Sequence, residues 1–289
     1  MSLIGTLGSG VSALRTFMKG LEVIGANIAN VNTTGYKSSE AKYADSFSNI
    51  LQRSSPSTAT TSNSPSTGIG TGVVLAGVST NFSQGSLGST GKETDLGISG
   101  NGFFHVKNVV DSTEYATRSG DFRWDDQGYL VSPQGFRVQG ATGAGLTTLG
   151  DVKLGTPPVG SQRQAVTIDK AGNVVEFYSD GSSATTNQVL IQTFNDPSAL
   201  VKEGNNLYSG LLAAGAVGAA AGSTALQVAV NKPGTNGLGL IQSGTLELSN
   251  VDLTDQFANL ITTQRSFQAA SRLITVSDSV LEDIVNLKR

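Results

Sequence analysis

The stretch Leu253–Leu287, LTDQFANLITTQRSFQAASRLITVSDSVLEDIVNL, decides the fold of this chain. It contains neither Gly nor Pro, and its large apolar residues recur at helical spacing. At 1.5 Å per residue, a helix of this length would be a rod of roughly 50 Å, far longer than an ordinary domain helix. A helix of this kind needs a neighbour to cover its apolar stripe.

A second helix is predicted from Leu3 to Val31, where apolar residues recur in steps of three and four, the spacing of a coiled-coil seam. The two segments are predicted to pack on each other, and a simple intramolecular helix pair is one interpretation. Both segments carry apolar residues on more than one face, which favours further packing on copies of the chain. The residues predicted to form this interface are Leu7, Val11, Leu14, Met18, Leu21, Ile24, Ile28, Phe257, Leu260, Ile261, Phe267, Ile274, Leu281 and Ile284.

The middle of the chain, residues 73–252, has the composition of a β-rich body. Of the 289 residues only 14% are charged, against about 25% in a typical soluble domain, and 36 are Gly, which marks many turns. The pattern D-x-x-G-x-(L/V)-V occurs at Asp125–Val131 and again at Asp169–Val175. Each copy predicts a hairpin in which Asp begins a type I turn and Gly adopts the left-handed conformation. Asp252 is the predicted N-cap of the C-terminal helix.

Residues 32–72 are predicted to be a linker between the first helix and the body. Residues 37–51 could hold a short helix, because Tyr43, Phe47, Ile50 and Leu51 have helical spacing. Ser54–Thr71 consists almost wholly of Ser, Thr, Asn, Pro and Gly, which predicts a linker or a segment ordered only by a partner. The fold class is therefore α+β, with terminal helices (1–31 and 253–289) flanking a mainly β body.

Few residues could support catalysis or metal binding, so an enzyme is not expected. The sole His, His105, has no distinguishable partner, and the absence of Cys removes thiolate ligands and nucleophiles. The carboxylate pairs Glu93/Asp95 and Asp125/Asp126 are more simply explained by turns. We therefore predict no catalytic residue, no metal site and no cofactor.

Charge and hydropathy exclude two further classes of partner. A net charge of −3 without a basic cluster argues against nucleic-acid binding. The longest apolar candidate, Leu211 to Ala221, is too short to cross a bilayer. The N-terminus has no basic head, apolar core or cleavage site of a secretory signal peptide.

Several separated stretches resemble the bacterial flagellar rod and hook proteins. The longest is VIGANIANVNTTGYK at residues 23–37, which contains the signature residues Asn27, Asn30 and Gly35. The other stretches are residues 84–87, 90–91, 95–96, 100–104, 115–122, 249–252 and 264–268. Together they cover both ends of the chain and the first half of the β body.

The resemblance implies a structural subunit that polymerises into a helical tube. Subunits of the family pass unfolded through the flagellar type III export apparatus, so no cleaved signal peptide is expected. Their terminal helices form the inner core around a central channel, and the β body forms the outer wall. The implied partners are other copies of the chain and adjacent axial proteins, namely the rod, the hook cap and the hook–filament junction. Asn27 and Asn30 would lie near the end of the inner helix, with Gly35 beginning the link to the body.

Within the family, the chain is expected to be a hook subunit, which lies outside the cell and transmits torque from motor to filament. The Ser-rich stretch after Phe47 and the segment Leu260 to Phe267 are similar to the hook protein. Hook proteins commonly carry an additional outer β domain, however, and the run from Gly140 to Val166 is too short for one. A subunit of the distal rod, which spans the periplasm, is the alternative. A secreted β-rich adhesin or binding module is a more remote one.

Overall fold

The computed structural model describes residues 2–57, 62–143, 145–219, 224 and 226–287, with side chains described from residue 5 onward. Its two long helices are α1 (Ser2–Ala29) and α2 (Leu253–Leu287). Between them, the described residues form strands and turns with a single short 3₁₀ helix at Pro197–Ala199. The predicted α+β fold, in which terminal helices flank a mainly β body, is confirmed.

The chain forms two compact units, and the first contains both helices. Unit 1 comprises residues 1–29, 38–81 and 251–289, and unit 2 comprises residues 30–37 and 82–250. The strands of unit 1 are β1 (Ser39–Asp45), β2 (Ser48–Gln52), β3 (Thr67–Gly70) and β4 (Val73–Thr80). β1 pairs antiparallel with β4, so that Ser39 lies opposite Thr80 and Asp45 opposite Val73.

The short helix predicted within residues 37–51 is wrong, because this segment forms β1 and β2. Phe47, Ile50 and Leu51, whose helical spacing suggested one buried face, are all exposed to solvent. β4 lies some 30 residues further along the chain and supplies a complete set of backbone partners for β1. Local periodicity contains no signal for a pairing partner at that separation.

The segment Ser54–Thr71, predicted to be a linker, is partly β structure. Its last residues form β3, which pairs antiparallel with β2, and Ser55 and Ser64 form a further bridge. The two strands are exposed along their whole length. The backbone hydrogen bonds, rather than buried apolar area, therefore hold this β2–β3 hairpin together.

Unit 2 is an antiparallel β structure built mainly on one large sheet. Its strands are β5 (Leu87–Ser89), β6 (Leu96–Ser99), β7 (Phe103–Lys107), β8 (Glu114–Thr117), β9 (Arg123–Trp124), β10 (Leu130–Val131), β11 (Arg137–Thr142), β12 (Thr148–Asp151), β13 (Arg163–Ile168), β14 (Asn173–Tyr178), β15 (Ser183–Val189), β16 (Ile191–Gln192), β17 (Val201–Gly204), β18 (Leu207–Ser209), β19 (Leu240–Ser243) and β20 (Thr245–Glu247). The sheet has the order β13-β14-β15-β11-β7-β8-β18-β17, with β9, β10, β12 and β16 attached beside it. The pairs β6–β19 and β5–β20 complete the unit.

The main apolar core of unit 2 is built on this sheet. It includes Phe104, Val106, Val138, Val189 and Ile191, all of which are fully buried. β7 and β11 are buried on both faces, since Phe103 and Ala141 belong to two smaller apolar clusters.

Both hairpins predicted from the repeated pattern are confirmed. Gly128 N donates to Asp125 O (3.1 Å) and Gly172 N donates to Asp169 O (2.9 Å). The two glycines have φ of 81° and 80°, the left-handed conformation that a side chain would disfavour. The Oδ1 of each Asp also accepts two backbone N–H groups of its own turn.

The ends of the helices lie close to the predicted ones. α1 ends at Ala29, two residues before the predicted Val31. Asp252 caps α2, because its Oδ1 accepts a hydrogen bond from Thr254 N at 2.8 Å. Among the described residues, no helix is both long enough and apolar enough to span a membrane.

Candidate functional site

The two helices of unit 1 pack antiparallel along a continuous seam. A Cβ built on Gly10 would lie 2.9 Å from Ile274 Cγ1, and one built on Gly20 would lie 3.7 Å from Thr263 Cγ2. Near the other end, Asn27 Nδ2 donates to Gln256 Oε1 at 3.0 Å. Residue numbers thus rise on one helix as they fall on the other, and the absence of a side chain at Gly10 leaves room for Ile274.

The structure leaves most of the predicted interface residues at least partly buried within one chain. Ile24 is buried. Partly buried are Leu7, Val11, Leu14, Leu21 and Ile28 of α1 together with Leu260, Phe267, Ile274 and Leu281 of α2. The remaining four predicted residues are exposed within one chain: Met18, Phe257, Ile261 and Ile284.

Small and polar residues complete the seam, and the search for large apolar side chains missed them. On α2, every step of three or four residues from Gln256 to Leu281 meets a buried or partly buried position, including Thr263, Ala270 and Ser277. On α1, Gly10 and Phe17 fill corresponding positions. A search for an unbroken heptad phase, regardless of residue size, would have found them.

A second face of α1 is held by hydrogen bonds to β4 and to the turn before it. Ser9 Oγ donates to Thr71 O (2.9 Å), and Thr16 Oγ1 donates to Val73 O (3.2 Å). At the end of the helix, the signature residue Asn27 donates to Ser39 O (2.7 Å) and accepts from Ser39 N (2.9 Å). The amide of Asn27 therefore satisfies both backbone groups of Ser39 and still reaches α2.

α2 keeps a large apolar surface in solvent even after packing on α1. Its exposed apolar residues are Leu253, Phe257, Ile261, Leu273, Val276, Val280, Ile284, Val285 and Leu287. Exposed apolar side chains in this number on one helix indicate a site of association. Within one chain, α2 is therefore covered on the side that packs on α1, and its other apolar side chains remain in solvent.

The signature residues Asn30 and Gly35 lie in unit 2, in the segment that follows α1. Asn30 O accepts from Thr33 N (3.1 Å), which forms the turn that ends the helix. Gly35 has φ of 68°, and a Cβ at this position would lie 2.7 Å from Ser119 N. Only Gly fits this position, since a side chain would be both strained and in collision with backbone.

A buried ion triad anchors the same segment within unit 2. Glu247 Oε1 lies 2.6 Å from Lys37 Nζ, and Glu247 Oε2 lies 3.1 Å from Arg118 Nη1. The three side chains are 1%, 1% and 4% exposed, in the order Glu247, Lys37 and Arg118. Lys37 also donates to Ser83 O (2.7 Å), and Gly85 N donates to Glu247 Oε1 (2.8 Å).

Burial dominates the electrostatics of this triad. Desolvation lowers the pKa of Lys37, while the hydrogen bond and the charge of Glu247 act in the opposite direction. Burial likewise lowers the pKa of Arg118, and Glu247 again opposes it. One carboxylate therefore compensates two buried cations, and its removal would leave both without a counter-charge.

His105 lies inside unit 2 rather than in a catalytic arrangement. Burial lowers its pKa to about 4, so the ring is neutral at pH 7. Its Nε2 lies 3.6 Å from Glu114 Oε2, and neither ring nitrogen has a hydrogen-bond partner among the residues that the structure describes. Those residues also contain no group of three or more His, Cys, Asp or Glu placed to hold a metal ion.

Three family models match this chain. The model described as "Flagella basal body rod protein" matches residues 7–37, and "Flagellar hook protein FlgE/F/G D1 domain" matches residues 97–176. "Flagellar basal body rod FlgEFG protein C-terminal" matches residues 242–287. The matches thus include most of α1, all of α2 and the first half of the large sheet.

Individual relatives match over the whole length of the chain. The flagellar basal-body rod protein FlgG of Bacillus subtilis is 37% identical over 287 residues, covering 99% of this chain and 100% of that protein. FlgG of Caulobacter vibrioides is 30% identical over 292 residues, with 100% of both covered. The flagellar hook protein FlgE of Borreliella burgdorferi is 24% identical over an alignment of 456 positions.

The antiparallel terminal helices, the β body between them in sequence and these matches define an axial structural protein of the bacterial flagellum. The chain belongs to the family of flagellar basal-body rod and hook proteins.

Proposed function

We propose that this chain is a structural subunit of the distal rod of the flagellar basal body. The observation that supports this best is the alignment with rod proteins, which runs end to end in 287 to 292 positions. The hook relative needs 456 positions for a chain of 289 residues and therefore carries a long stretch with no counterpart. The comparisons favour the rod over the hook subunit that the sequence motifs first suggested.

The β2–β3 hairpin also favours the rod. A hook bends as it turns, so its subunits need a connection that changes conformation at small energetic cost. Ser54–Thr71 would supply such slack if it were unpaired, but within its described part β3 pairs with β2 and Ser55 forms a bridge with Ser64. The apolar side chains of Phe47, Ile50 and Ile69 are exposed on or beside this hairpin and are available to pack against neighbouring subunits.

The unit 1 helix pair is the proposed polymerisation core. The fourteen predicted interface residues include a seam closed within the chain and four exposed side chains left for other copies. In this proposal the protein forms a homopolymeric tube, contacts adjacent axial proteins at its ends, and reaches the periplasm-spanning rod through the flagellar export apparatus. Its role is mechanical rather than enzymatic, and neither nucleic acid nor a cofactor takes part.

Cryo-electron microscopy of polymers formed from concentrated full-length protein tests this proposal. We expect straight tubes with the α1–α2 pair in the wall of a central channel and the β2–β3 hairpin in a single conformation. Phe47→Ser should raise the concentration needed for assembly, because Phe47 is 89% exposed in the single chain and would be covered in the tube. Val110→Ser is the matched control, since Val110 is equally exposed (88%) but lies in a loop of unit 2.

Curved tubes in which the hairpin changes conformation around the circumference would contradict the assignment to the rod and support the assignment to the hook. A protein that stays monomeric at every concentration would contradict both and favour a binding module.

A further inference from the structure

The face of α1 that points away from both α2 and β4 carries a pair of unpartnered cations. Arg15 and Lys19 are four residues apart, so they project from the same side of the helix. Both are exposed, and neither has an ion-pair partner among the residues that the structure describes. Small residues, Gly8 and Ala26, lie on the same side of the helix and leave room for a close neighbour.

α2 carries a matching pair of anions toward its C-terminal end. Asp278 and Glu282 are also four residues apart and exposed, and neither forms an ion pair within the described part of the chain. The exposed Val285 lies beside them on the same helix. The two helices therefore present charge pairs of opposite sign with identical spacing.

These charges cannot meet within one chain. The contacts Gly10–Ile274 and Gly20–Thr263 place Arg15 level with residues 268–269 of its own α2 and Lys19 level with residues 264–265. Glu282 and Asp278 are each about fourteen residues beyond those levels, which at 1.5 Å per residue is about 20 Å along the axis. The displacement is the same for both pairs.

We propose that α1 of one subunit packs against α2 of a second copy displaced by about 20 Å along the helix axis, with Arg15 paired to Glu282 and Lys19 to Asp278. The proposal rests on the proposed function and adds to it the register of one contact in the polymer. An antiparallel arrangement matches both ion pairs at a single displacement, because the spacing on each helix is four residues. In this register Glu22, the remaining charge on that face of α1, lies opposite the hydroxyl of Thr275 rather than opposite a like charge.

The same contact explains why α1 has an exposed third face. Its first face packs on its own α2, and its second hydrogen-bonds to β4 and the preceding turn. A second copy on the third face would bring Val11 of α1 to the level of Val285 and Asn286 of the neighbouring α2. The charged groups then set the register, while apolar contacts contribute most of the association energy.

Disulfide cross-linking tests the register directly, since the chain has no native Cys. In the variant Lys19→Cys/Asp278→Cys the two thiols are about 20 Å apart within one chain, too far for a disulfide. Oxidation of assembled polymer should therefore produce a ladder of covalent oligomers and no intramolecular product. Lys19→Cys/Ser279→Cys is the matched control, because residue 279 is one position further along and is rotated by about 100° around α2.

Charge reversal provides a second readout. Arg15→Glu/Lys19→Glu should raise the concentration needed for assembly about fivefold or more, since two favourable pairs become repulsive. Adding Asp278→Lys/Glu282→Lys should return that concentration to within about twofold of the wild-type value. The difference should shrink as salt is added, because these charges are exposed.

Tubes that form but yield no Lys19→Cys/Asp278→Cys ladder, or a reversal that the second pair of substitutions does not rescue, would overturn the register and leave the proposed function standing. Wild-type protein that forms no polymer at any concentration would overturn both.

Discussion

Replacing Glu247 by Gln should destabilise unit 2 more than any other change from a carboxylate to an amide in this chain. The substitution keeps the shape of the side chain but leaves Lys37 and Arg118 as two buried cations without a counter-charge. Breaking a buried pair by removing one partner costs about 3 to 5 kcal/mol. Because Glu247 serves two cations, we expect a loss of about 4 kcal/mol or more in the free energy of unfolding.

A pair at the surface of the same unit provides the matched control. Asp151 accepts from Arg137 at 2.9 Å, but these side chains are 28% and 22% exposed. Asp151→Asn should therefore cost about 1 kcal/mol or less. Both substitutions convert a carboxylate to an amide, but Glu247 is buried and pairs with two cations, whereas Asp151 is partly exposed and pairs with one.

Urea unfolding followed by fluorescence measures both effects. Trp124 is the only Trp of the chain and packs against the core of unit 2, so its emission reports on that unit. The triple variant Lys37→Met/Arg118→Met/Glu247→Leu should recover most of the lost stability, since apolar residues often replace buried ions without cost. The reasoning is refuted if Glu247→Gln costs no more than Asp151→Asn.

Three further predictions concern acid stability, backbone conformation and assembly. His105 has a folded pKa of about 4, below the usual 6.5, so the unfolded state binds the proton more readily than the folded state. The contribution of His105 to the free energy of unfolding is therefore fully present above pH 6.5 and falls by roughly 2 to 3 kcal/mol as the pH drops toward 4. His105→Leu should flatten this part of a pH series of urea midpoints. Gly35→Ala should lower the free energy of unfolding of unit 2 by about 2 kcal/mol or more, because the new Cβ would meet Ser119 N. Gly91→Ala is the control: Gly91 has φ of 73° but open space around it, so the loss should be about 1 kcal/mol. Equal losses in thermal unfolding would show that the collision relaxes. Phe267→Ala should raise the concentration needed for assembly, measured by sedimentation, and leave the thermal transition of unit 2, measured by calorimetry, almost unchanged. Unchanged assembly with a lowered thermal transition would place Phe267 outside the polymer core.

Local sequence determined the features that depend on nearby residues. The 3.6-residue period of the terminal segments, the Asp252 cap and the two D-x-x-G hairpins follow from interactions within a few positions along the chain, and all of them are present in the structure. The division into terminal helices and a β body was therefore predictable from the chain alone.

Tertiary structure decided the features that depend on distant partners. Whether residues 39–45 form a helix or a strand depends on β4, and only the fold shows that Lys37 and Arg118 share the carboxylate of Glu247, 210 and 129 residues away. The same holds for Gly10, whose place against Ile274 in the helix pair no local pattern indicates. Local periodicity records which face of a helix is apolar, but which partner covers that face depends on how the whole chain packs.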